Sequence, residues 1–194
     1  MVLGLLFITA IPTVAGVGNA ISAQQRQQQA AKDQVKFHLT ALIKLGDEYQ
    51  EGALCTLADN QLFLDLPDYP APGHRFHGYY FKYPSEEGHL GLVSTISVDP
   101  PMLNWIYIDK DTGQVKYGAR KDTVDHVIGP WYWSDDEELL TLKEDYEPFV
   151  AKREEGGQGR FCVYWDPEHK MEDCLRLRLR RRVQQGVNSR FVKN

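Results

Sequence analysis

The chain has 194 residues, 42% of them hydrophobic and 25% charged, with a net charge of −5. These values exclude disorder along the whole length, a collagen or coiled-coil rod and a polytopic membrane protein, and the negative charge excludes a uniformly basic nucleic-acid binder. Three cysteines are too few for the disulfide framework on which small secreted scaffolds depend.

The N-terminal 25 residues carry no charge, and residues 2–21 are almost all apolar or small. Three readings compete. A cleaved signal peptide has its apolar core and small-residue exits, Gly18-Asn19-Ala20 or Ile21-Ser22-Ala23, but no Lys or Arg precedes the core and Pro12 interrupts it. A membrane span needs about 20 apolar residues, which residues 2–21 just reach. A helix buried against protein, either the body of the chain or further copies, is the favoured reading. Leu5, Ile8, Pro12, Gly16 and Ala20 are its candidate packing positions, and Gly16 with Ala20 gives the small-xxx-small spacing that lets helices approach closely. Downstream, the glutamine-rich stretch has good helix formers, and no Gly or Pro falls between Asn19 and Leu45. Ala31, Val35, Leu39 and Leu42 are spaced for one helical stripe, and Gly46 is a natural stop. One or two helices over roughly residues 2–45, bent at Pro12, are expected.

After residue 50 the texture changes. Nineteen of the 22 aromatic residues lie there, and aromatic residues favour strands and dominate cores. Short strand-like runs recur at 53–58, 61–66, 79–83, 92–98, 105–108, 114–117, 131–133, 139–142, 149–152, 160–165 and 175–180. Asp59-Asn60 is a two-residue hairpin signal, Asp109-Lys110-Asp111-Thr112-Gly113 reads as a longer hairpin loop, and residues 154–159 as a glycine-rich one. The run Trp105-Ile106-Tyr107-Ile108 is apolar on both faces and reads as a central strand. Leu175, Leu177 and Leu179 alternate with Arg176, Arg178 and Arg180, which fits a strand covering the core from one side. No helical pattern separates the strands, so a parallel βαβ sheet is disfavoured. The expected class is α+β: one or two N-terminal helices followed by a mostly antiparallel β-barrel or β-sandwich. The expected organisation is a helical segment over 1–45, a β-rich domain over 50–183 and a basic tail over 184–194.

The string from Gly91 to Asp109, GLVSTISVDPPMLNWIYID, stands out together with Gly129-Pro130-Trp131-Tyr132-Trp133 and the opening Thr9-Ala10-Ile11-Pro12-Thr13-Val14. On these strings the chain resembles a family of small uncharacterised proteins from filamentous fungi. The resemblance implies N-terminal helices and a β-rich body, and it implies no activity.

Most candidate chemistry has a plainer reading. His74 and His77, near Asp68, Tyr69 and His89, have residue types that bind zinc, but they lie in a Pro/Gly-rich stretch entering a strand, where solvated histidines are expected. The Asp109 loop resembles the start of a calcium loop, but Thr112 and Gly113 fall too early, and position 12 is Arg120 rather than Glu. The acids Asp135, Asp136, Glu137 and Glu138 fit a solvated turn or a docking surface for the Arg180–Arg182 region better than paired catalytic carboxyls. Trp105, Trp131 and Trp133 are expected to be core rather than a sugar-stacking platform. Cys162 and Cys174 face each other only if the intervening loop closes a hairpin of the right register. No phosphate loop, nucleophile elbow or HExxH motif is present.

Charge is divided along the chain. Residues 170–194 hold eight basic and two acidic residues, net +6, against −11 for residues 1–169. Arg176, Arg178, Arg180, Arg181 and Arg182 form a candidate basic interaction surface, expected to fold against the acidic body or a second copy. The resulting expectation is a non-catalytic interaction or assembly protein, homo-oligomeric, with a membrane contact through residues 2–21 as a further option. No cofactor, metal or nucleic acid is expected, and a cytoplasmic or membrane-associated location is favoured over secretion. The alternatives are a secreted β-barrel binding protein with a cleaved signal, or a small enzyme with an unrecognised pocket.

Overall fold

A computed structural model describes residues 15–98, 101–154 and 159–183, with side chains described over 23–97, 102–154 and 159–183. Two compact units divide the chain, Met1–Asp33 and Gln34–Asn194.

The described residues of the first unit form one helix, α1 (Ala15–Asp33). Gln29 donates a hydrogen bond to Asp33 Oδ1 at 2.9 Å, a one-turn pair on the helix surface. Residues 23–31 are all exposed. The helix ends at Asp33, so the expectation of helix up to residue 45 is corrected. Residues 37–45 are a strand, and the division between units falls at 33/34 rather than after 45. The run Phe37, Leu39, Ala41, Ile43 has strand periodicity as well, and all four side chains are buried. Hydrogen-bonded neighbours on both sides decide between the two periodicities. The expected bend at Pro12 lies outside the described residues.

Among its described residues the second unit has thirteen strands: β1 (Phe37–Leu45), β2 (Glu48–Ala58), β3 (Gln61–Asp65), β4 (His74–Arg75), β5 (Gly78–Lys82), β6 (Leu90–Val98), β7 (Pro101–Ile108), β8 (Val115–Gly118), β9 (Trp131–Trp133), β10 (Leu140–Leu142), β11 (Phe149–Arg153), β12 (Phe161–Trp165) and β13 (Leu175–Val183). Eleven form one sheet in the order β12-β11-β13-β1-β5-β6-β7-β8-β3-β2-β4, and β9 with β10 forms a separate hairpin. The additional pairing of β12 with β3 closes nine strands of the large sheet into a barrel. All pairings between these strands are antiparallel.

A second cross-link, β1 to β2, divides the barrel circuit. It leaves a tight ring of six strands, β1-β2-β3-β12-β11-β13. The meander β5-β6-β7-β8 joins that ring sparsely: Phe37 pairs with Gly78 at one end, and at the other Gln61 pairs with Lys116 and Gln114 bridges to Tyr164 of β12. Inside the ring, Leu39, Leu57, Leu64, Val163, Leu177 and Leu179 belong to one buried cluster. Trp131, Trp133, Leu140 and Leu142 from the β9–β10 hairpin join the same cluster, so that hairpin fills part of the interior.

Local sequence explains the tight turns. Asp59 and Asn60 adopt φ of 46° and 60° between β2 and β3, the left-handed pair that a two-residue hairpin requires. Asp109 organises the β7–β8 loop: its Oδ1 accepts the backbone N–H groups of Asp111 and Thr112, and its Oδ2 meets Lys116 Nζ at 2.6 Å. Gly113 supplies the positive φ of 73° that ends the loop.

Candidate interaction surface

The five arginines of the candidate basic surface all lie on β13, but they do not share one environment. Leu177 and Leu179 are fully buried and Leu175 packs against the core, so the expected alternation holds. Outward, Arg178 pairs with Glu147 and lies over the rings of Tyr49 at 4.0 Å and Tyr146 at 5.1 Å. Burial and the neighbouring Glu147 raise the Tyr49 phenol above its ordinary value, outweighing Arg178. Arg180 pairs with Glu138 at 2.8 Å, and Arg182 pairs with Glu51. The Glu51 carboxyl lies below its ordinary value: burial raises it, and the Arg182 guanidinium bonded to it, with Arg180 nearby, helps to outweigh burial. Arg176 donates to His169 Nδ1 at 2.9 Å.

Arg181 differs from the rest. Its register position opposite Leu39 turns it towards the barrel core, where its guanidinium sits 4.1 Å over Trp133 and 5.7 Å from the Phe37 ring centroid. Its side chain is only 8% exposed, and the nearest carboxylate, Glu137, stands 3.9 Å away. Glu137 and Glu138 of the acidic run at 135–138 thus face the basic strand of the same chain.

The remaining candidates take structural places. His74 Nε2 lies 3.2 Å from Thr95 Oγ1, and His77 stacks on His38 with ring centroids 4.8 Å apart. His89 pairs with Glu87. Among the described residues, no group of three His, Cys, Asp or Glu side chains is arranged to hold a metal. All three cysteines are free. Burial pushes the Cys55 thiol up to about 12; burial and then Glu154 do the same for Cys162. Neither is a nucleophile near neutral pH. Trp131 and Trp133 are core. Gly16 and Ala20 fall on α1, while Leu5, Ile8, Pro12 and the tail 184–194 lie outside the described residues.

Trp105 does not join Trp131 and Trp133. It lies on the outer face of the β5–β8 meander, and with its neighbours it forms an apolar surface. Tyr79, Val93 and Trp105 stand in register across β5, β6 and β7, with Phe81 opposite Gly91 and Thr95 opposite Leu103. The alternate positions Tyr80, Leu92, Ser94 and Ile106 are buried on the other face. Phe81 is 44% exposed and Leu103 50%, while Met102 beside them is 51%. Gly91 makes room for the indole: a Cβ there would lie 2.6 Å from Trp105 Cζ3. The rings lock edge to face, with Tyr83 4.9 Å from Trp105 at 72°, and Tyr79 6.4 Å from Phe81 at 89°. Sequence reasoning missed this face. Its signal was the pair of uncharged runs at 90–98 and 100–108, apolar on both parities, which reads as burial on two sides.

A family model described as a fungal β-trefoil domain matches residues 16–190, which takes in α1 and the whole described barrel. The chain belongs to that family. The fungal resemblance read from the strings at 91–109 and 129–133 therefore stands, and membership in this β-trefoil family brings no activity with it. No curated protein and no solved structure matches this β-trefoil chain.

Proposed function

We propose that the chain is a non-catalytic interaction module that self-associates through its N-terminal apolar segment. The observation that carries this reading is helix α1, whose residues 23–31 are exposed on every side. A helix polar all round gains little from burial of its own surface, and it continues directly from an uncharged apolar run. Such a run exceeds the apolar patch that a soluble monomer normally exposes, so the body of the chain, a second copy or lipid must cover it, and the self-association reading assigns that cover to a second copy. Two further features support an interaction role. The buried thiols are held protonated, and the most concentrated charges are engaged with one another along β13. No described helix is long and apolar enough to cross a membrane.

Deleting residues 1–22 tests the proposal. Sedimentation equilibrium of the full chain should give an oligomer and the deleted chain a monomer. Equal masses for the two would refute self-association. Liposome flotation of the full chain, lost on deletion, would assign the segment to lipid instead.

A further inference from the structure

The outward face of β5, β6 and β7 is a surface in search of a cover, and the chain carries a segment of matching chemistry. We infer that residues 2–14 of one copy pack on this face of a second copy. This inference rests on the self-association reading and names its receptor.

Seven outward positions span the three strands: Tyr79 and Phe81, then Gly91, Val93 and Thr95, then Leu103 and Trp105. None is charged, although 25% of the chain is. A solvated sheet face ordinarily alternates to polar residues. Here Phe81 and Leu103 remain about half exposed instead. Of the two hydroxyls on the face, that of Thr95 is already committed, its Oγ1 donating to the His77 carbonyl at 3.2 Å and lying 3.2 Å from His74 Nε2, which leaves the Tyr79 phenol as the polar group there. That face therefore favours an occupant that needs few hydrogen bonds.

Ring geometry narrows the occupant further. Phe81 and Trp105 are tilted by 54°, Tyr83 and Trp105 by 72°, and Tyr79 and Phe81 by 89°. These neighbouring rings are far from coplanar, so they offer an uneven apolar relief rather than a flat stacking platform. Branched aliphatic side chains interdigitate with such relief better than a planar ligand does. Residues 2–14 read VLGLLFITAIPTV, thirteen residues without charge, with Leu3, Leu5, Leu6, Ile8 and Ile11 as side chains of that kind. They immediately precede α1. Mutual absence of charge is the complementarity here: neither surface strands an ion on desolvation.

The test uses the full-length chain. A photoreactive benzoylphenylalanine replaces Ile8, and isotopically labelled and unlabelled protein are mixed before irradiation. Cross-linked peptides should join position 8 of one copy to residues 78–108 of another. Independently, the double variant Phe81→Ser, Leu103→Ser should raise the dissociation constant of the oligomer by more than about tenfold, with an unchanged near-UV spectrum. Cross-links that map elsewhere or within one copy, or an oligomer that survives the double substitution, overturn this docking while leaving self-association intact. A monomeric wild-type chain overturns both.

Discussion

Arg181 and Arg182 are adjacent in sequence and opposite in physical role. Arg182 reaches outward to Glu51, with both side chains more than 40% exposed, and an exposed ion pair contributes about 1 kcal/mol or less. Arg181 is buried over Trp133, and its Nε has no hydrogen-bond partner among the described residues. A desolvated cation–π contact contributes about 2 kcal/mol or more, and the aliphatic stem adds packing. Urea denaturation should therefore show Arg181→Ala losing about 2–4 kcal/mol and Arg182→Ala less than about 1 kcal/mol. Asp109 makes the second residue-scale prediction. Burial raises its pKa, but Lys116 and the N–H groups of Thr112 and Asp111 outweigh burial and bring it down to about 2. A carboxyl depressed in the folded state stabilises above its unfolded value near 4, and that contribution is lost as pH falls through 4 towards 2. Asp109→Asn should cost roughly 2 kcal/mol at pH 7, and the gap from wild type should narrow over that window in pH-dependent urea melts.

At the scale of the element, β13 tests how far alternation alone can be trusted. Leu177→Ala removes a fully buried side chain from the ring interior and should cost about 2–5 kcal/mol by chemical denaturation. Arg178→Ala should cost about 1–2 kcal/mol, more than a solvated arginine would, because Tyr49, Tyr146 and Glu147 all lose a partner. Equal losses at 177 and 178 would contradict the one-sided strand. Most strands were legible because turn chemistry marked their ends: Asp59-Asn60, the Asp109 loop, and the Gly/Pro pair before β9. β1 was not. Its residues satisfy a helical stripe through Ala31, Val35, Leu39 and Leu42 as well as a strand alternation, and no local residue breaks the tie. The deciding bonds come from β13, about 140 positions away, and from β2. Long-range pairing overriding local propensity is the physical reason for that miss. The apolar outer face of the meander was missed for a related reason. Alternating residues that are apolar on both parities imply two buried faces, and only the strand order shows that one of them is open.

At the scale of the whole molecule, ring closure depends on the last described strand. β13 provides partners to β1 over seven residue pairs and joins β11 at Leu175 and Arg176. Ending the chain after Cys174 would open the six-strand ring and expose Leu39, Ala41 and Phe149 to water. Such a truncation should lose its cooperative thermal transition and its near-UV signal, whereas ending the chain after Val183 should keep both. The meander, joined to the ring by few residue pairs, is the part expected to open at lower cost. Native-state hydrogen exchange should show β5 and β8 less protected than β1 and β13.

Joining β1 to β13 also sets a schedule for synthesis. A ribosome delivers β1 about 140 residues before β13, and at 5–20 residues per second that gap is on the order of 10 s. The β1–β2 and β2–β3 hairpins are local and form at once. Throughout the delay, however, one edge of β1 and the apolar face it shares with its hairpin partners stand open on the nascent chain. Unpaired edges of this kind are where chains join one another wrongly. The arginines that later neutralise the body's acids arrive last as well: residues 1–65 hold four basic and six acidic residues, and the chain becomes strongly acidic only as residues 135–169, with eleven acids against four bases, emerge. Like-charge repulsion between neighbouring nascent chains therefore guards the exposed edge only in the last part of the wait, once that acidic stretch is out.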